Sequence, residues 1–272
     1  MLRVVYGNFA YCPAEGVFDL TVDLLKTAGL RRFIRPQVEL WIDGAMEFER
    51  FPRDTPLPLL EWGINYALAA RLACYLLLHA GAVERNGIGL LLPAMPGSGK
   101  STLTAALSRR GYRLLSDEFG VLRLNDRKMV AMLRPVALKN ESIGVLRALD
   151  STAVIGPVFP KTRKGAVAHL APQARDVDAI AVPVPPCFIV FPRFEPTAGV
   201  QLKPVPRARA FARLAVNSFN YDVLGPDAFE VLGDVVQQCA CYELQYGDLE
   251  AAIAAIDAIV ADSAAERQAG QA

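Results

Sequence analysis

The chain has 272 residues, 53% of them hydrophobic and 21% charged, a balance that supplies a full core and excludes disorder for want of apolar side chains. Its 29 Lys and Arg against 28 Asp and Glu give a net charge of +1, so no global field draws it to nucleic acid or to an anionic membrane. The 20 Gly and 19 Pro are scattered between apolar runs, which excludes collagen-like and linker sequences.

The N-terminal stretch lacks an apolar core followed by a small-residue cleavage site, so a cytoplasmic protein is expected. The five Cys residues, Cys12, Cys74, Cys187, Cys239 and Cys241, are odd in number and form no CxxC pair, which argues against a disulfide framework or a structural zinc site. Residues 1–57 read as a small β-rich extension, with strands expected at 17–22 and 38–42. Pro56 and Pro58 introduce a helix expected over 59–78, with His79 at its end. The apolar run 64–82 carries Arg71 in its middle and reads as buried helix, since a central Arg costs several kcal/mol in lipid. Strands at 80–85 and 88–92 flank Asn86-Gly87, a strong hairpin signal. A glycine-rich loop, a helix over 100–110 stopped by Gly111, and a strand at 112–115 then give the βαβ order of α/β nucleotide-binding proteins. Runs at 119–124 and 128–133 flank Asn125-Asp126-Arg127 as a second hairpin. Helices at 141–149, 208–216, 228–238 and 249–261 alternate with strands at 166–170, 188–191 and 242–245. The Pro-rich stretch 172–186 reads as a surface crossing and 263–272 as a flexible tail.

The most informative residues are Ala94-Met95-Pro96-Gly97-Ser98-Gly99-Lys100-Ser101-Thr102. They match the phosphate-binding pattern GxxxxGK[ST] except that Ala94 stands at the first glycine. Met95 through Thr102 are the expected nucleotide contacts. Glycines let successive N–H groups curl around phosphate oxygens, and the following helix directs its positive end at the same point. Lys100 would bridge the β- and γ-phosphates, and Ser101 would hold Mg²⁺. The expected fold is α/β, a P-loop kinase-like core over 58–262 with the 1–57 extension.

Ser116-Asp117-Glu118 follows the next strand, where parallel-sheet proteins collect ligand groups. Phosphoryl transfer to a hydroxyl needs one carboxylate to organise Mg²⁺ and another to accept the proton. Asp117 and Glu118 could divide those roles, with His79 able to reach the same end of the sheet.

The series His79-Ala80-Gly81, then Gly97-Ser98-Gly99-Lys100-Ser101-Thr102, then Ser116-Asp117-Glu118 resembles the catalytic core of HPr kinase/phosphorylase, most closely the branch known as HPr-related kinase A. The resemblance covers about 80 residues and implies transfer of the ATP γ-phosphoryl to a serine hydroxyl of a protein or peptide. It implies Asp117 as the base, His79 as its assistant, Lys100 on the phosphates, and Ser101 and Glu118 near Mg²⁺. A further metal-binding glutamate is expected downstream; Glu141 occupies about that place, although Leu138-Lys139-Asn140-Glu141-Ser142-Ile143-Gly144 does not reproduce the family signature. The resemblance also implies a homo-oligomer, which no feature of the sequence itself indicates. Lys161, Arg163, Lys164, Arg193, Arg207, Arg209 and Arg213 could contact phosphates or a substrate; residues 161–164 are the better lid candidates, and Arg207 and Arg209, which precede a helix, read as solvated charge rather than as a lid clamp. Other readings of the residues are a small-molecule kinase and a nucleotide-gated peptide-binding module with little catalysis.

Overall fold

The computed structural model describes residues 1–12, 16 and 18–269. A short α1 (Leu2–Val5) precedes an antiparallel sheet of β1 (Val22–Lys26), β2 (Gln37–Ile42), β3 (Ala45–Met46) and β4 (Phe51–Pro52). The first strand begins only at Val22, later than expected; Val17, where the sequence placed its start, lies outside the described residues. Along β2 the inward positions Val38, Leu40 and Ile42 alternate with half-buried ones, the period of two of a strand with one wetter face. Helix α2 (Pro56–Arg71) packs on this sheet so closely that a Cβ on Gly63 would stand 2.7 Å from Leu40.

The helix stops at Arg71, and β5 (Tyr75–Arg85) takes the place of its expected continuation to residue 78. His79 therefore lies within a strand, not at a helix end. The run from Leu72 to Ala82 is too uniformly apolar for periodicity to distinguish helix from buried strand; ladders to neighbouring strands decide the matter. Strand β6 (Ile88–Pro93) returns through Asn86-Gly87, both at positive φ, as a two-residue hairpin of this sequence requires. Then come α3 (Lys100–Arg109), β7 (Arg113–Ser116), β8 (Phe119–Arg123), β9 (Met129–Val130), β10 (Val136–Lys139), α4 (Glu141–Leu149), β11 (Phe159–Thr162), β12 (Gly165–Leu170) and α5 (Ala174–Asp178). The chain ends with β13 (Pro186–Phe194), β14 (Gln201–Pro204), α6 (Arg207–Val216), α7 (Tyr221–Leu224), α8 (Pro226–Gln238), β15 (Ala240–Tyr246) and α9 (Leu249–Ala269). Helix α9 runs on through most of the stretch read from the sequence as a tail; residues 270–272 of that stretch lie outside the described residues.

The main sheet is mixed, with strand order β14-β15-β13-β6-β5-β8-β9, and β7 also pairs with β5. Strand β13 is parallel to both β6 and β15, whereas β5 is antiparallel to β6, β7 and β8. Strands β6 and β7, joined through α3, are thus separated by the antiparallel β5. Helices cover both faces. Leu90, Leu92 and Val190 pack with Leu103 and Leu107 of α3 and Ile256 of α9 on one side. Leu91, Ile189 and Phe191 pack with Leu214 of α6 and Val231 and Val235 of α8 on the other. Every residue of β6 is buried, as a strand covered on both faces must be. A third sheet, β10-β12-β11, lies beyond α3. No helix among the described residues is long and apolar enough to cross a membrane.

Candidate active site

Strand β6 ends at Pro93 and hands over to the glycine loop. Gly97 and Gly99 have φ of 88° and 86°, a region that costs an L-residue about 1–2 kcal/mol. Gly99 has a second reason to lack a side chain: a Cβ there would stand 2.5 Å from the Tyr246 hydroxyl and 2.9 Å from Cβ of Phe194. The loop is backed by these two residues from β13 and β15, and the Phe194 N–H donates to the Ser98 carbonyl at 3.1 Å. Met95 through Thr102 all line a cavity of about 820 Å³, which puts the N-terminal end of α3 at its wall. Partial positive charge at such an end favours anions.

Strands β7 and β8 follow one path along β5. Ser116 pairs with Ala82 and Phe119 with His79, and the ladder is interrupted between them at Asp117-Glu118. The Ser116 hydroxyl accepts the N–H groups of Glu118 at 3.3 Å and Phe119 at 3.0 Å, which holds the bend. The two acids part company there. Asp117 is 7% exposed, lies outside the cavity lining, and has a buried Oδ2 with no hydrogen-bond partner. Burial raises its pKa, against the pull of the Lys100 charge, the Arg134 charge and a hydrogen bond from Ser101. Glu118 lines the cavity, with Oε1 3.5 Å from His79 Nε2 and Oε2 3.8 Å from Lys100 Nζ. Burial resists its ionisation, but the His79 hydrogen bond and the charges of Lys100, His79 and Lys139 outweigh that resistance and hold its pKa at about 2. Lys100 is itself buried, and its ammonium donates to the Asp117 carbonyl.

His79 owes its setting to a change of partner along β5. Residues 80–85 pair with β6, which departs at Pro93 into the glycine loop. The vacated edge is taken by residues 217–219: the His79 N–H donates to the Asn217 carbonyl at 2.6 Å and the Phe219 N–H to the Leu77 carbonyl at 2.8 Å. The Phe219 ring then meets His79 edge-on at 5.7 Å and Phe119 at 5.0 Å. Asn217, Ser218 and Phe219 all line the cavity. Nothing in the sequence marks them, because the gap they fill exists only once β6 has turned away.

Lys139, Glu141 and Lys164 stand on the cavity wall supplied by β10, α4 and the β11–β12 turn. Lys164 alone of the basic run 161–164 lines the cavity. Arg193 pairs with Glu195, and Arg213 pairs with Glu243 and stacks 3.8 Å over the Phe191 ring; neither they nor Arg207 and Arg209 line the cavity. Cys187, Cys239 and Cys241 are buried and unbridged, as small hydrophobes.

No family model matches the chain. It is 25% identical over 144 residues to the HPr kinase/phosphorylase of Limosilactobacillus reuteri, covering 48% of this chain and 45% of that protein. Over 93 residues it is 29% identical to the HPr kinase/phosphorylase of Clostridium botulinum, covering 34% and 31%. A shorter match to the protein of that name from Stenotrophomonas maltophilia is 42% identical over 55 residues, 20% of this chain and 17% of the relative. The chain thus spans less than half the length of the curated relatives it matches. The likeness points to this family and to no branch within it.

Proposed function

We propose that this chain is an ATP-dependent phosphotransferase that moves the γ-phosphoryl group to a hydroxyl, that of a serine in a protein or peptide. The observation that carries the reading is Lys100, buried where a left-handed glycine loop opens α3 and held between the Asp117 carbonyl and a Glu118 that also pairs with His79. The likeness to HPr kinase/phosphorylases, whose name includes a protein acceptor, supports it.

Loop N–H groups and the Lys100 ammonium would hold the β- and γ-phosphates. In this reading Glu118, which lines the cavity beside His79, would receive the acceptor's proton, and His79 would orient it. Asp117 sits behind, against Ser101 and Lys100. This exchanges the roles that the family resemblance implies for the two acids, because only Glu118 lines the cavity. Mg²⁺ fits the donors present. Ser101 and the orphaned buried Oδ2 of Asp117 are hard oxygens, and the described residues hold no group of three His, Cys, Asp or Glu that would cage a metal alone. That poverty of protein ligands suits a cation completing its shell with phosphate and water. When bound, it would neutralise charge on the transferring phosphoryl. Glu141, which lines the same cavity, would be the further carboxylate near the metal.

The test combines ATP titration with transfer of labelled phosphoryl to candidate proteins, the labelled residue being located by mass spectrometry. Lys100→Ala should abolish ATP binding. Glu118→Gln should keep it and lower transfer about 10²–10⁴-fold, as loss of a general base does. Undiminished ATP affinity in Lys100→Ala refutes the nucleotide site. Full transfer by Glu118→Gln with loss in Asp117→Asn returns the base role to Asp117, and hydrolysis without any labelled acceptor favours a nucleotide-gated binding module.

A further inference from the structure

Sharing the cavity with the glycine loop is a ledge made from two chain segments, and Asn140 joins them. Its Oδ1 accepts the Ala166 N–H at 3.0 Å and its Nδ2 reaches the Lys164 carbonyl at 3.5 Å. To do so Asn140 adopts φ 50° and ψ −120°, a conformation costly for any residue with a side chain and typical of places where strain serves a function. Gly165 accommodates the contact: it has φ 83°, and a Cβ on it would lie 2.2 Å from Asn140 Oδ1. The turn is tightened further by Thr162, whose hydroxyl donates to the Gly165 carbonyl at 2.7 Å and accepts the Lys164 N–H at 3.0 Å.

The effect of this strained joint is to bring Lys139 and Lys164 onto one wall. Both line the cavity, yet the ion pairs of the cavity go to Lys100 and His79, and among the described residues neither ledge lysine is in one. Burial first, and then Lys164, disfavour the charged form of Lys139, while the nearby carboxylates Glu118 and Asp117 favour it. Two cations on one wall that stand outside any ion pair of the described residues, and are held together by a costly backbone, suit an anionic group. Glu141 shares this wall and limits how much negative charge it can accept.

We infer that Lys139 and Lys164 form a second anion subsite in the cavity of the glycine loop, one that takes a phosphate or carboxylate group. The inference rests on the reading of the loop as the nucleotide's phosphate cradle. Two sources can supply the group: the γ-phosphate of the nucleotide itself, or an acidic residue flanking the acceptor serine.

Calorimetric titration of the full chain with ADP, with ATP, and with the peptide Glu-Glu-Ser-Glu-Glu in the presence of ADP separates these sources. In the double variant Lys139→Gln/Lys164→Gln we expect ADP affinity within about twofold of wild type and a loss of about tenfold or more in one other arm, the size of a lost charge-assisted contact. Loss in the ATP arm assigns the subsite to the γ-phosphate; loss in the peptide arm assigns it to the acceptor. Gly165→Ala, which breaks the joint but retains both lysine side chains, should reproduce the same loss. Unchanged ATP and peptide affinity in the double variant overturns the inference, as does an equal fall for ADP and ATP. A wild-type chain that binds neither nucleotide refutes the loop reading instead, while the peptide arm still tests the lysines.

Discussion

Lowering the pH from 7 to 5 should cost this protein about 2 kcal/mol through His169 alone. His169 lies on β12 opposite Ala137, is 1% exposed, and has a buried Nδ1 without a hydrogen-bond partner. Burial first, and then the charges of Arg134 and Lys139, lower its pKa from 6.5 to about 4. Between those values the unfolded chain binds a proton that the folded one refuses, so stability rises with pH across the window. The contribution is complete above about pH 6.5, declines as the pH falls, and is gone near pH 4. At pH 5 the unfolded state gains about 1.5 pH units of protonation free energy, or roughly 2 kcal/mol at 1.36 kcal/mol per unit. Urea unfolding of wild type and His169→Asn at the two pH values isolates the effect, since Asn fills a similar space and does not titrate. The wild type should lose about 2 kcal/mol more than the variant on acidification. An equal loss in the two proteins would show that His169 is not the group responsible and that its surroundings admit the proton.

Two further perturbations follow from the geometry. Gly99→Ala adds backbone strain and a clash with Tyr246 and Phe194, together about 2–5 kcal/mol, whereas Gly97→Ala adds strain alone because nothing lies within 4 Å of its new Cβ. Thermal unfolding should therefore drop several degrees further for Gly99→Ala, and equal drops would refute the packing account. Arg134 reaches buried Glu61 at 3.4 Å, and Glu61 in turn accepts the Tyr6 hydroxyl at 2.5 Å. Arg134→Met leaves that carboxylate without its cation and should cost about 3–5 kcal/mol. The double change Glu61→Gln/Arg134→Met should recover most of the loss in urea unfolding; no recovery would mean that Arg134 acts through packing on Phe119 rather than through charge.

The glycine loop was legible in the sequence because its chemistry is local: two residues with φ freedom, a lysine and a hydroxyl must follow one another at the start of a helix. The hairpin at Asn86-Gly87 was legible for the same reason. The strand around His79 was not. The Leu and Ala residues between 72 and 82 favour a helix by propensity, and only pairing with β6 and β8 overrides it. The bend that turns Glu118 toward the cavity and Asp117 away depends on the Ser116 hydroxyl capping two N–H groups, an arrangement that composition does not specify. Lys139 and Lys164 are 25 positions apart, and only the Asn140 contact makes them neighbours.

The way β5 changes partners also limits how this site can be moved or shortened. The motif residues from His79 to Glu118 sit within 40 positions of one another, which invites transplantation as a compact block. Such a block would carry β6 without β13, its parallel neighbour from about a hundred residues later, and would leave one edge of the central strand open. It would also lack Phe194 and Tyr246 behind Gly99, and residues 217–219 beside His79. A graft or a fragment would thus keep every recognisable letter of the motif while losing the surfaces that give those letters their shape. Recombination within this chain preserves the site only where the crossover leaves residues 75–246 intact.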